Sequence, residues 1–160
     1  MVIAETRATL PPMASTYLDL HYHLVFSTKY RMRWMAPSWR PNLHRYLGGT
    51  TAGLGGTPLE INGVEDHVHL LVGLRSSHRL GDFLRELKKA STAWIHRETG
   101  LTEFAWQEGY AGFTVSACMR KTIHTYIAGQ EEHHRKRSFL EELVDLLEEA
   151  GIPFDPKYLD

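Results

Sequence analysis

The sequence predicts an α+β fold: a ferredoxin-like (RRM-like) antiparallel sheet with crossover helices on one face and additional C-terminal helices. Three observations lead there. Strand and helix signals follow one another as β-α-β-β-α-β, the split βαβ pattern, and two more helical segments come after. The stretch DHVHLLV at 66–72 alternates, so that Val68, Leu70 and Val72 share an apolar face while His67, His69 and Leu71 share the other. The segment 76–100 carries Leu80, Phe83, Leu84, Leu87, Ala90 and Trp94 at three- and four-residue steps, the stripe of a half-buried helix. Crossover helices cover one face of such a sheet and leave the other free for function.

Each element has its own local signal. Tyr17 to about Ser27 is rich in aromatic, β-branched and leucine residues and reads as the first strand. A basic loop follows, with Lys29, Arg31, Arg33 and Arg40 interleaved with Tyr30, Trp34 and Trp39. Pro37 marks the start of a first helix, and the glycines from Gly48 to Gly56 mark its fraying end. TPLEINGVEDHVHLLVGL reads as two strands, with Ile61-Asn62-Gly63 near the end of one and Glu65-Asp66 at the bend into the next. Ser76 or Ser77 can cap the second helix, Gly100 ends it, and Arg85, Lys88 and Lys89 lie on its outer face. GYAGFTVSA reads as a short fourth strand. MRKTIHTYIAGQEEHHRKR then reads as helical, and SFLEELVDLLEEAG as a strongly amphipathic helix stopped by Gly151 and Pro153. Residues 1–16 read as a loose arm and 17–160 as one domain.

Composition narrows the class. The chain has 160 residues, 42% hydrophobic and 23% charged, which fits one globular domain and argues against disorder. The single cysteine, Cys118, excludes an internal disulfide and a cysteine-based zinc site, and fits a reducing cytoplasm. The N-terminal stretch lacks the basic and apolar regions of a secretory signal, and no apolar run is long enough to span a membrane. The net charge of −1 hides an asymmetry: residues 1–125 hold 14 Lys/Arg against 10 Asp/Glu, and residues 126–160 hold 4 against 9. A basic body with an acidic tail is compatible with a nucleic-acid partner.

Ten histidines are many for this length. Two imidazoles on one face of a strand can chelate a divalent ion. Yet chance supplies roughly 0.6 His-x-His pairs at this composition. There are two, His21-Tyr22-His23 and His67-Val68-His69, and spacing does not choose between them. In the ferredoxin-like order both would lie on adjacent central strands. Further on, Tyr126 and Gln130 are four residues apart and share a helix face, and His133 and His134 continue roughly along it. Gly129 between them is locally costly, by about 1 kcal/mol against alanine.

Taken together, YHLVFSTKYR, DHVHLLV, LGDFLRELKKASTAWIH, FAWQEGYAGFTVS and YIAGQEEHHRKRSFLEEL resemble, in order and spacing, one family over about 17–159. It is the single-tyrosine HUH transposases of bacterial insertion sequences, of the 200/605 type. The resemblance implies an enzyme that cuts and rejoins single-stranded DNA at element ends marked by hairpins. His67 and His69 would then bind Mg²⁺ or Mn²⁺, Tyr126 would be the nucleophile forming a 5′-phosphotyrosine link, and Gln130 the third protein ligand. It also implies a homodimer, with the tyrosine helix of one subunit often completing the histidine pair of the other.

The residue types suit that chemistry. A phenol has a pKa near 10 and needs a base or a cation before it attacks. A divalent ion neutralises charge on the phosphate oxygens and orients the group for in-line displacement. Lys29, Arg31 and Arg33 with Tyr30 and Trp34 offer charge beside stacking platforms, and Arg85, Lys88, Lys89, Arg120 and Lys121 are further candidates for phosphate contacts. The acidic helix at 138–150 is expected to pack through Phe139, Leu140, Leu143, Val144 and Leu147 rather than meet DNA. Three rival readings are a relative acting on repeated chromosomal hairpins, a nucleic-acid-binding module without chemistry, and a His-x-His zinc hydrolase. The last lacks an evident acidic ligand at helpful spacing.

Overall fold

The computed structural model describes residues 16–159; of the N-terminal arm only Thr16 lies within them. β1 (His21–Ser27) is followed by α1 (Arg40–Gly53), β2 (Thr57–Gly63), β3 (His67–Gly73), α2 (Leu80–Thr99), β4 (Ala111–Thr114), α3 (Arg120–Ala128), α4 (Gln130–His133) and α5 (Phe139–Glu149). The sheet order is β2-β3-β1-β4 with every neighbouring pair antiparallel, the ferredoxin-like arrangement.

Alternation divides the sheet as the sequence requires. Leu24, Phe26, Val68, Leu70 and Val72 face one side and pack against Leu43 and Leu47 of α1 and Phe83, Leu84, Leu87 and Ile95 of α2. On α2 the fully buried stripe continues through Ser91 and Ile95, while Trp94 packs at its edge. Residues paired directly across a ladder share a face, and Ser27↔His67 and Val25↔His69 fix the β1–β3 register.

Several expectations are corrected. The face expected to stay free is roofed: α3 lies over β2 and β3, and Ile127 joins Leu71 and Val115 in a second, smaller core. Strand β1 starts at His21 rather than Tyr17, because its partner β3 ends at Gly73, opposite His21. Tyr17 is left 91% exposed. Helix α1 starts at Arg40, with Pro41 in its first turn, and Gly48, Gly49 and Gly53 stay inside it. Neither Ser76 nor Ser77 caps α2; Arg79 holds that position without a side-chain cap. His78 instead ties the turn down, its Nδ1 accepting from the Arg75 N–H and its Nε2 donating to the Leu54 carbonyl at 2.8 Å each. Gly100, at φ 74°, ends α2 as expected.

The β2–β3 turn positions the first histidine. The Asp66 carbonyl accepts from the backbone N–H of Thr28 at 2.7 Å and from its hydroxyl at 3.2 Å, which pins the turn to the end of β1. Gly63 has no room for a side chain: a Cβ there would sit 2.2 Å from the His67 carbonyl oxygen and 2.9 Å from Val68 Cα. Both obstacles are backbone and cannot rotate away. Gly63→Ala should therefore destabilise the chain by about 1–3 kcal/mol, read by denaturant unfolding. An unchanged midpoint would show that the turn gives way.

Candidate active site

β3 delivers His67 and His69, both fully buried, to the face covered by the C-terminal helices. β1 adds His23, whose Nε2 lies 2.8 Å from His69 Nδ1. His21 stays at the start of β1, its Nδ1 on Asp19. Tyr126 comes from the last turn of α3. That helix ends at Gly129, where the backbone leaves helical geometry, and Asn62 Nδ2 donates to the Ala128 carbonyl at 3.0 Å just before the break. Gln130 then opens α4, fully buried. So Tyr126 and Gln130 do not sit on one continuous helix, yet both reach the same place.

The residue at the centre is one that sequence reasoning placed only on an acidic helix. Glu142 of α5 is 1% exposed. Its Oε1 lies 2.8 Å from His69 Nε2, 3.2 Å from His134 Nε2 and 3.4 Å from His67 Nε2. Its Oε2 accepts from the Tyr126 hydroxyl and, at 3.1 Å, from Gln130 Nε2. Ser138 and Glu141 form a capping box that fixes the start of α5 and points Glu141 outward, one residue before the inward Glu142. Of the apolar residues expected to seat α5, Phe139 and Leu147 are buried, and Leu140, Leu143 and Val144 only partly. The overlooked signal was a charged side chain at i+3 from Phe139, inside an apolar stripe.

Hydrogen-bond partners on the outer nitrogens fix what points inward. His67 Nδ1 lies 2.7 Å from Asp66 Oδ1, and His134 Nδ1 lies 2.8 Å from the Arg137 carbonyl. Both partners are acceptors, so each Nδ1 carries the hydrogen and a neutral ring turns its Nε2 lone pair inward. Gln130 uses its NH₂ on Glu142, so its carbonyl oxygen also faces inward, 3.3 Å from His67 Nε2 and 3.0 Å from His134 Nε2. The Nε2 atoms of His67, His69 and His134, the Gln130 carbonyl oxygen and a carboxylate thus converge. The donor atoms of His67, His69, His134 and Glu142 all lie within 4.8 Å of one another. The nitrogen and oxygen donors of this set fit a divalent metal.

The proton affinities follow. Burial disfavours the charged Glu142, but hydrogen bonds with His134, His67 and His69 outweigh it and hold the carboxyl far below its usual range. Burial also pushes against a charged His67, yet hydrogen bonds to Asp66 and Glu142 raise it above 6.5. Burial holds His69 down to about 4 and His23 to about 3. Burial, then the adjoining Glu142 carboxylate, raises the Tyr126 phenol well above its ordinary 10. His133 Nε2 is 3.1 Å from Glu142 Oε2 but out of line for a hydrogen bond, and is buried without a partner.

The basic side chains divide. Lys88 turns inward and donates to the carbonyls of Gln107, Glu108 and Gly109 at 2.7–3.1 Å, and burial lowers it to about 8, so it braces a loop instead of facing DNA. Arg85 pairs with Asp82 at 2.8 Å and Arg120 with Asp19 at 3.0 Å. Arg40 is buried and joins α1 to Glu131 at 2.9 Å. Lys29, Arg33, Lys89 and Lys121 are exposed and Arg31 is half-buried. Tyr30 is 74% exposed beside Lys29, whereas Trp34 packs on the core and is no platform.

The comparisons with known proteins agree on one kind of relative. The profile described as "Transposase IS200 like" matches residues 16–130. The ISDra2 transposase TnpA of Deinococcus radiodurans is 29% identical over 120 residues, covering 71% of this chain and 86% of its own length. A solved candidate transposase from D. radiodurans superposes with a TM-score of 0.62 at 27% identity, covering 76% of this chain and 98% of its own. A REP-associated tyrosine transposase bound to a REP hairpin has the same fold, with a TM-score of 0.57 at 14% identity, covering 76% of this chain and 74% of its own.

Acid should loosen the metal-free site. Rings with lowered folded pKa cost stability as pH falls below 6.5, because the unfolded chain takes up protons that the fold refuses. His23 alone implies a loss of roughly 2 kcal/mol between pH 7 and pH 5. The contribution of Glu142 is present above the ordinary carboxylate range and is lost only below it, as pH falls through its depressed value. His67, being raised, acts oppositely and adds stability below 6.5. In chelator, the melting temperature should fall from pH 7 to pH 5, and less steeply in His23→Phe. Parallel slopes in the two proteins would contradict this account.

Proposed function

The chain belongs to the IS200-like transposase family, and we propose that it cleaves and rejoins single-stranded DNA at hairpin-marked ends through a phosphotyrosine intermediate on Tyr126. One observation carries the reading. Tyr126 and Gln130 meet the sequence-distant pair His67 and His69 around the buried Glu142 carboxylate.

In the proposed reaction, the Tyr126 oxygen attacks the scissile phosphorus as the bond to the 3′ oxygen breaks. The phenol gives up its proton as it attacks, and the 3′ oxygen takes one up and leaves as a hydroxyl, so the exchange is proton-neutral. Reversal of the same exchange at another end rejoins the strand without ATP, because the ester bond energy is kept in the protein–DNA link. His67, His69 and Gln130 would hold Mg²⁺ or Mn²⁺, which supplies charge neutralisation at the phosphate and polarisation of the nucleophile. Asp66 orients His67 through its Nδ1. Glu142 Oε2 faces the Tyr126 hydroxyl and holds the phenol protonated until substrate and cation are in place.

The hairpin is proposed as substrate in line with the REP-hairpin complex of the same fold. Lys29, Arg31, Arg33, Lys89 and Lys121 are the side chains proposed to track its backbone, with Tyr30 as a stacking surface. Among the described residues no helix is long and apolar enough to cross a membrane; the proposed place of action is the cytoplasm, on DNA. We also propose a homodimer. The tyrosine and the histidine pair meet within one chain, so each subunit would hold a complete site.

Incubating the protein with Mg²⁺ or Mn²⁺ and a hairpin-bearing strand from its own locus should give an SDS-resistant protein–DNA adduct. Tyr126→Phe should abolish it. An undiminished adduct in that variant would refute the assignment, and a protein that binds the hairpin but never forms an adduct would favour a module without chemistry. Mixing Tyr126→Phe with His67→Ala subunits should restore no cleavage. Restored cleavage would show that the sites are shared between subunits.

A further inference from the structure

The family match ends at Gln130, and two of the groups that face the buried point come after it. We infer that His134 and Glu142 are additional metal ligands, and that the completed site selects a divalent transition ion, Co²⁺ or Zn²⁺ before Mn²⁺, over Mg²⁺. This rests on the metal-dependent reading above and specifies the ion.

The argument starts from donor chemistry. His67, His69 and Gln130 alone would offer two imidazoles and one amide oxygen. With His134 and Glu142 the pocket offers three imidazole nitrogens, one carboxylate oxygen and the amide oxygen. Imidazole suits later transition ions such as Co²⁺ and Zn²⁺, and nitrogen affinity rises along the series from Mn²⁺, whereas Mg²⁺ prefers oxygen donors and keeps several waters. All three Nε2 atoms approach one carboxylate oxygen, at 2.8, 3.2 and 3.4 Å. In the metal-free site that oxygen accepts ring N–H hydrogen bonds, and a divalent ion would take the place of those protons at the same point.

The outer contacts belong to a ligand set as well. Asp66 holds His67, the Arg137 carbonyl holds His134, and His23 holds His69, each through the ring nitrogen away from the centre. Metal-binding histidines are oriented in this way, through the nitrogen that does not ligate. Phe139 stacks on His67 at 4.3 Å between centroids and shields the site on the α5 side. The His133 Nε2, buried beside Glu142 without a hydrogen-bond partner, is a second sign that the local charge arrangement is incomplete. Glu142 thereby joins two tasks, with Oε1 toward the ion and Oε2 on the nucleophile.

The test is Co²⁺ binding to the full chain after chelator treatment, followed by visible absorption and by competition with Zn²⁺, Mn²⁺ and Mg²⁺. Wild type should bind Co²⁺ at least 100-fold more tightly than Mg²⁺. Glu142→Gln keeps the shape, and His134→Ala removes one ring; each should weaken Co²⁺ at least tenfold. Circular dichroism in chelator reports whether each variant is folded. X-ray absorption of the Co²⁺-loaded wild type needs no variant and should count three imidazoles. Two imidazoles, wild-type affinity in both folded ligand variants, or no preference over Mg²⁺ would overturn the inference and leave the Tyr126 adduct reading standing. Absence of Co²⁺ binding together with absence of any adduct would remove both.

Discussion

A carboxylate buried among imidazoles organises the functional half of this protein. Glu142 is inaccessible to water, yet it stays ionised because three histidines, a glutamine and a tyrosine surround it. A buried charge stripped of its partners costs about 3–5 kcal/mol. The cluster therefore holds together only as a set. It ties β3, the end of α3, α4 and α5 to one point, although their own apolar contacts on this side are few: Leu71, Val115 and Ile127 form only a small core.

The two faces of the sheet follow different physics as a result. On the side of α1 and α2 the contact is apolar and continuous, from Leu24 and Phe26 through Val68, Leu70 and Val72 to Phe104 and Trp106. That side sets the backbone and keeps β1 and β3 in register. On the other side polar groups are buried in number, and all but His133 Nε2 in the cluster are hydrogen-bonded to one another. The stability of the first face carries the cost of the second, so ligand geometry can be held in a site that would not assemble from its own apolar burial.

Chemistry inherits this arrangement. The break at Gly129 lets Tyr126 finish one helix and Gln130 begin another, so the nucleophile and the amide approach the carboxylate from separate short elements. Short elements with few apolar anchors are the ones that can shift when a substrate takes up space. The phenol, kept neutral by burial and by Glu142, is held in reserve rather than exposed as a reactive anion. Residues outside the matched family region thus bear directly on the residues inside it.

Much of this was legible in the sequence. Alternation in DHVHLLV assigned Val68, Leu70 and Val72 to one face and His67 and His69 to the other, and the element order implied the sheet order, because strand period and connection rules are local or nearly so. The family likeness to transposases was carried by several motifs in their order and spacing together. What spacing could not carry was long-range pairing. Glu142 looked like one acid among several on an amphipathic helix, and Lys88 like an outward phosphate contact. Their burial depends on which surface α5 meets and on where the 107–109 carbonyls fall. The sequence by itself determined which side chains share a face of a strand or helix. Only the tertiary structure decided which faces close on each other, since a charge changes from solvated to buried when a distant element arrives to cover it.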